Sequence, residues 1–208
     1  GSPLLLDLLV RHARDPDTVA ASVDLEAVLG ARMEALPGQA RALLEALAVR
    51  GQPLSAGLAQ AVLGVDALDV AMLTQLRNAR LLRARDGDGG GEALELYHDR
   101  IRAAVTGGMG RSRERELHAR LARVLARTDH VDPESLAFHY RGAECWPEAL
   151  HYTVEAARRA DAALAFERAA TLYEEGLALR RSLGDGALPG ATPETELRVA
   201  LGEALRNA

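Results

Sequence analysis

Residues 86–91 read Asp-Gly-Asp-Gly-Gly-Gly, a run that neither a helix nor a strand can carry through. Glycine loses the most backbone entropy on ordering, and aspartate favours turns over regular structure. On each side lies a short run with strand-like alternation, "LLRAR" before and "EALELY" after. Two such runs around a Gly/Asp cluster predict a β-hairpin whose tip is longer than a two-residue turn. Elsewhere the apolar residues repeat at helical spacing. The chain therefore has to combine one hairpin with many helices.

The upstream pattern is a series of short helices. Leu4 to Arg14 and then Ser22 or Asp24 to about Ala35 read as two helices, and Leu36-Pro37-Gly38 breaks the pattern. Pro37 suits the first turn of the next helix. Ala40, Leu43, Leu44, Leu47 and Ala48 then fall at i, i+3, i+4, i+7 and i+8, one buried stripe that Gly51 ends. Ser55 is placed to cap a helix with Leu58, Ala59, Val62 and Leu63 inward and Gly64 as its stop. Asp66 is placed to open a third, reaching Ala79 and carrying Val70, Leu73 and Leu76. Three helices followed by a hairpin is the order of a winged helix.

Downstream, Ile101, Ala104 and Val105 face inward on a helix from Arg100, and Gly107-Gly108-Met109-Gly110 interrupts it. "RSRERELHARLARVLART" is amphipathic, with Leu117, Leu121, Val124 and Leu125 inward. Helices follow over 134–142, 147–163, 165–182 and 196–206. "WPEALHYTVEAA" and "FERAATLYEEGL" echo one another: an aromatic, Ala149 or Ala169 three residues on, then Tyr152 or Tyr173. That alternation of ring and small residue is how tetratricopeptide helices pack. The fold class expected is mainly α, a winged-helix module (three helices plus a β-hairpin) followed by a tetratricopeptide-like helical repeat array. The expected divisions are 1–36, a helical lid remnant; 37–106, the winged helix; and 107–208, the repeats.

Composition excludes several functions. Only 3% of residues are aromatic, so the core is Leu, Ala and Val, which favours close-packed helices over a sheet sandwich. All 25 basic residues are Arg, and without Lys no G-x-x-x-x-G-K-[ST] phosphate loop can form. A net charge of −5 gives no general attraction to nucleic acid or anionic membrane. The single cysteine, Cys145, excludes an internal disulfide and fits a reducing, cytoplasmic setting. No apolar stretch approaches the ~20 residues that span a bilayer.

His98-Asp99, at the strand-to-helix junction, is the pair most open to a chemical reading. A metal centre needs about three protein ligands, and His12, His118, His130, His139 and His151 show no supporting pattern. Asp99 is placed to cap the following helix instead, worth about 1 kcal/mol. His139, Cys145 and His151 straddle a helix break and read as corner packing. The arginines of 111–127 are interleaved with Glu114 and Glu116 and read as a solvated face. In a winged-helix DNA-binding regulator with a helical dimerisation half, Arg77, Asn78 and Arg80 would contact DNA. Asp66 and Asp69 early in that helix, with the acidic hairpin tip, argue against it. A small hydrolase built on His98-Asp99 is a third reading, and it requires metal in the purified protein.

The run from "DLEAVLGARMEALPGQARALLEALAVRGQPL" through "LYHDRIRAAV" and "ELHARLARVLA" to "AFHYRGAECWPEALHYTVEAA…AALAFERAATLYEEGLALRR" resembles bacterial STAND-type regulatory ATPases. These are multidomain signalling proteins related to the MalT-type transcription activators, with similar segments in predicted ATPases fused to serine/threonine kinases or LuxR-type domains. The resemblance covers nearly the whole chain and rests on the order of its parts, with no catalytic motif. It implies a nucleotide-binding module ahead of this piece, with ATP or ADP and Mg as cofactors of the longer protein and none in this chain. It implies that Gly1-Ser2-Pro3 stands where the lid begins, Pro3 lying against adenine, and that His98 meets the nucleotide module. A protein or small ligand would bind on the helical repeats, where Tyr140, Trp146, Tyr152 and Tyr173 are the candidates. A dimer through an apolar end is a further expectation.

Overall fold

The computed structural model describes residues 33, 35–86, 91–128, 132–183 and 192–208. Apart from Met33, Ala35 and Leu36, the expected lid, and Pro3 with it, lies outside the described residues, as does the hairpin tip at 87–90. The chain divides into two units, Gly1–Leu117 and His118–Ala208. The first holds α1 (Gly38–Arg50), β1 (Leu54–Ser55), α2 (Ala56–Leu63), α3 (Val70–Asn78), β2 (Leu82–Asp86), β3 (Glu92–Leu96) and α4 (Asp99–Gly107). The division falls inside α5 (Arg111–Leu125), and α6 (Pro133–Gly142), α7 (Trp146–Ala162), α8 (Phe166–Leu183) and α9 (Glu194–Asn207) complete the second. The protein is mainly helical. No helix among the described residues is long and apolar enough to cross a membrane.

In the first unit α1 is the hub. The expected stripe is buried, and Ala46 and Val49 are buried too, so the helix is covered on most sides. A helix apolar nearly all round belongs inside a domain, and α2, α3, α4 and β3 all pack on it. Gly51 ends α1 at φ 70°, its N–H donating to the Leu47 carbonyl at 3.1 Å. That left-handed cap is where glycine is cheapest. Pro37 holds the position before the first helical residue, at φ −53° and ψ 147°, and not the first turn. Its extended ψ places the turn into the helix at Gly38.

Ser55 caps α2 as expected, accepting from the Leu58 N–H at 3.3 Å. The inward face narrows to Ala59 and Val62, with Leu58 and Leu63 half-buried. The third helix needs correction. It starts at Val70, four residues later than Asp66 suggests, because Asp69 accepts from the Ala71 N–H at 2.8 Å and sets the register. Val70 is consequently 74% exposed, while Met72 and Leu76 are buried.

The hairpin forms with Leu82 opposite Leu96 and Asp86 opposite Glu92. A third strand, unforeseen from sequence, pairs Leu54 with Leu94 and Ser55 with Ala93, giving the antiparallel order β1-β3-β2. Leu54, Leu82, Leu94 and Leu96 are buried. On α4, Ile101, Ala104 and Val105 are buried as their spacing requires.

In the second unit each helix from α6 to α9 packs on the next. The core joins Leu150, Val154, Ala157, Ala169, Tyr173, Leu177 and Leu197. Ala149 and Ala169, the small residues of the two sequence echoes, are both fully buried. Two ion pairs tie α6 to α8, Glu134 with Arg168 and Arg141 with Glu175, the latter at 2.8 Å; each spans 34 residues.

The links after α6 and α7 share one geometry. Cys145 N–H donates to the Tyr140 carbonyl and Ala165 N–H to the Ala160 carbonyl, both at 2.9 Å. In each the residue before the donor is left-handed without being glycine: Glu144 at φ 57° and Leu164 at φ 60°. A side chain there costs ~1–2 kcal/mol, and Leu164 is 73% exposed, with little packing to lose. Leu164→Gly should raise stability by about 0.5–1 kcal/mol after the entropy gained by the unfolded chain is subtracted. An unchanged or lower urea midpoint would refute this account of the turn.

Candidate functional site

Three places gather the residues singled out from sequence. The first is the junction after β3. Tyr97 N–H donates to the Leu81 carbonyl at 3.2 Å, so sheet pairing persists past the last strand residue. His98 is still extended, at φ −153° and ψ 146°, and is the residue before the helix. Its Nδ1 accepts from the Arg100 N–H at 3.2 Å. The cap is therefore His98 and not Asp99. Asp99 already lies in the first turn, where its charge suits the helix N-terminus, and it pairs with Arg102 at 3.5 Å. Arg102 in turn donates to the Gly51 carbonyl at 3.1 Å, fixing α4 against the end of α1. Among the described residues no three His, Cys, Asp or Glu side chains are arranged to hold a metal ion.

The second is the hairpin with the end of α3. Arg77 donates to Glu92 at 2.6 Å, and Arg83 to Glu95 at 2.6 Å. Arg85 lies 3.8 Å from the same Glu95. The Arg83 guanidinium also lies over the Tyr97 ring, 6.0 Å from its centroid. Asn78 and Arg80 are exposed, and Arg80 is a left-handed turn residue at φ 53°. Arg77, Arg83 and Arg85 are thus already facing carboxylates.

The third is the corner between α6 and α7. Tyr140 and Tyr152 stack with ring centroids 5.3 Å apart and planes 1° from parallel, both half-buried. His151 is exposed and lies edge-on to Tyr152 at 4.8 Å. Trp146 opens α7 and is 37% exposed. Burial pushes the Tyr140 phenol above its ordinary range, reinforced by Tyr152, Glu148 and Cys145 and opposed by Arg123. Tyr173 is different. It is 3% exposed and packs in the core, and burial raises its phenol as well.

Two features escaped the sequence reading. Phe138 is 55% exposed on α6. His118, which the arginine-rich helix suggests is solvated, is buried, and its Nδ1 lies 3.0 Å from Nδ1 of the fully buried His139. The signal for His118 was present: with Leu117, Leu121, Ala122 and Leu125 it follows the apolar side of α5. His139 thus meets His118 across the two helices. No family model, curated protein or solved structure matches the chain.

Replacing His98 by Ala should destabilise the protein by about 1 kcal/mol, the usual cost of losing a helix cap, whereas Asp99→Ala should cost less. Equal losses in chemical denaturation would return the cap to Asp99. For Tyr140 the folded chain holds the phenolic proton more tightly than the unfolded chain does. Its contribution to stability is complete below the ordinary value of 10.0 and is lost as pH rises through the higher folded value. Absorbance titration at 295 nm should show that Tyr140→Phe removes a late-ionising tyrosine; loss of an ordinary one instead would contradict the stacking environment.

Proposed function

We propose that the chain is the coupling and sensing part of a STAND-type regulatory ATPase, with no chemistry of its own. In this reading the first unit is a winged-helix module that takes up the nucleotide state of an ATP- or ADP-binding, Mg-dependent module elsewhere in the longer protein. The second unit is a tetratricopeptide-like array that binds a protein or small ligand. The observation that carries the reading is the 34-residue span of both ion pairs between α6 and α8, the period of that repeat. The three helices and hairpin ahead of it supply the other half of the domain order. Tyr140, Tyr152 and Trp146, half-buried or exposed at the α6–α7 corner, give the second unit aromatic groups of the kind that anchor partners. The setting proposed is the cytoplasm.

A DNA-reading role is disfavoured by Arg77, which would have to leave Glu92 to meet phosphate. A basic protein making several phosphate contacts loses affinity steeply with salt. Titration of this chain with duplex DNA should show no such salt-dependent binding; binding that disappears in Arg77→Ala and Arg80→Ala would favour a transcription regulator. Sequencing the native gene upstream of codon 1 tests the main reading directly. A continuous frame carrying G-x-x-x-x-G-K-[ST] is expected. A start codon immediately before this segment would overturn it.

A further inference from the structure

We propose that the buried His118–His139 pair is a pH-operated latch holding α5 to α6 within the second unit. The two Nδ1 atoms are 3.0 Å apart, with His118 7% and His139 0% exposed. The His118 ring is confined on two sides. Phe138 meets it edge-on at 5.3 Å, and Gly142 lies so close that a Cβ there would fall 2.5 Å from Cγ, Cδ2 and Nδ1 of the ring. Two residues of α6 thus lie directly against the ring.

An Nδ1–H···Nδ1 bond needs one protonated nitrogen and one bare one. With both rings neutral, one imidazole carries its proton on Nδ1 and donates, and the other carries it on Nε2 and accepts. One added proton can enter at the far side of the donor ring and leave the bond intact. The next has only the accepting Nδ1 itself to occupy. It destroys the bond and sets two buried cations face to face. The folded chain thus binds at least one proton fewer at these rings than the unfolded chain, where each imidazole titrates near about 6.5. Fewer bound protons in the folded state means stability that is present at neutral pH and lost as pH falls.

On α5, Glu114 and Arg115 lie one turn before His118. On α6, Arg141 is engaged with Glu175 of α8. On α7, Glu148 acts on Tyr140, as Arg123 of α5 does. Asp129 and His130 of the link between α5 and α6 lie outside the described residues. The residues one turn from the pair on its other sides, Leu121, Ala122, Ser135, Leu136 and Ala143, carry no charge.

The test is unfolding of the full chain, in EDTA, between pH 8 and pH 5. Below about pH 6.5 the folding equilibrium constant should fall about tenfold per pH unit for the one proton excluded. His118→Asn and His139→Asn place a non-titrating amide where Nδ1 stood, and should lose that step. His151→Asn, at an exposed histidine, should keep it. A step that persists in both pair variants, or no step in the parent, would overturn the latch. Should the variants not fold, 15N spectra of the histidines in the unmodified chain decide. One Nδ1 protonated and one bare at pH 8 is the expected result. Two bare Nδ1 atoms, or two rings titrating independently as exposed histidines do, would reject it.

Discussion

Ala149, Ala157 and Ala169 are wholly buried in the second unit, and what they permit is close approach of helix backbones. The chain has two Phe, one Trp and four Tyr in 208 residues, so large rings cannot fill a wide core. Interiors are packed to crystal-like density, and with few rings that density requires the helices to come near one another. Small side chains at the crossing points and leucines around them meet the requirement. The same logic makes α1 the hub of the first unit, where Ala40, Ala46 and Ala48 are interspersed with leucines on a helix covered on most sides. A sheet alone would not serve such a composition, and the sheet present is small, with β1 contributing two residues.

Much of this was legible. Helical spacing located α1, α2 and the helices of the second unit, and the Asp/Gly run marked the hairpin, because periodicity and backbone-breaking residues are local signals. The misses were non-local. β1 is two residues long and exists only because Leu94 lies opposite Leu54, which no local pattern encodes. The junction cap moved from Asp99 to His98 because pairing continues through Tyr97 to Leu81 and keeps His98 extended; the sheet register, and not side-chain preference, chose the capping residue. Between Asp66 and Asp69 both residues were competent caps, and only the one beside Val70 sits at the helix start. His118 was hidden by its arginine-rich surroundings, although its position followed the apolar side of its helix.

Several arginines among the described residues face carboxylates. Arginines of the hairpin meet carboxylates on β3, and those of α8 and α6 meet acidic partners 34 residues away in sequence. Each exposed pair is worth little on its own, about 0–1 kcal/mol. Together they oppose Arg77, Arg83, Arg85, Arg141 and Arg168 with carboxylates, in keeping with the acidic balance of the whole sequence. The aromatic residues are distributed in the opposite manner, with Phe138, Tyr140, Trp146 and Tyr152 all within one helical pair. Polar-tipped rings are thus rare everywhere except at one corner.

Trp146 has a consequence for how that corner can be observed. It is the sole tryptophan of the sequence and opens α7, partly exposed, next to Cys145. Its emission colour and its accessibility to a quencher therefore belong to one address in the molecule. Cys145, the sole thiol, supplies a second label at the adjoining residue. The protein thus carries an intrinsic optical probe and a chemical handle at the same turn, with no second tryptophan or thiol anywhere in the sequence.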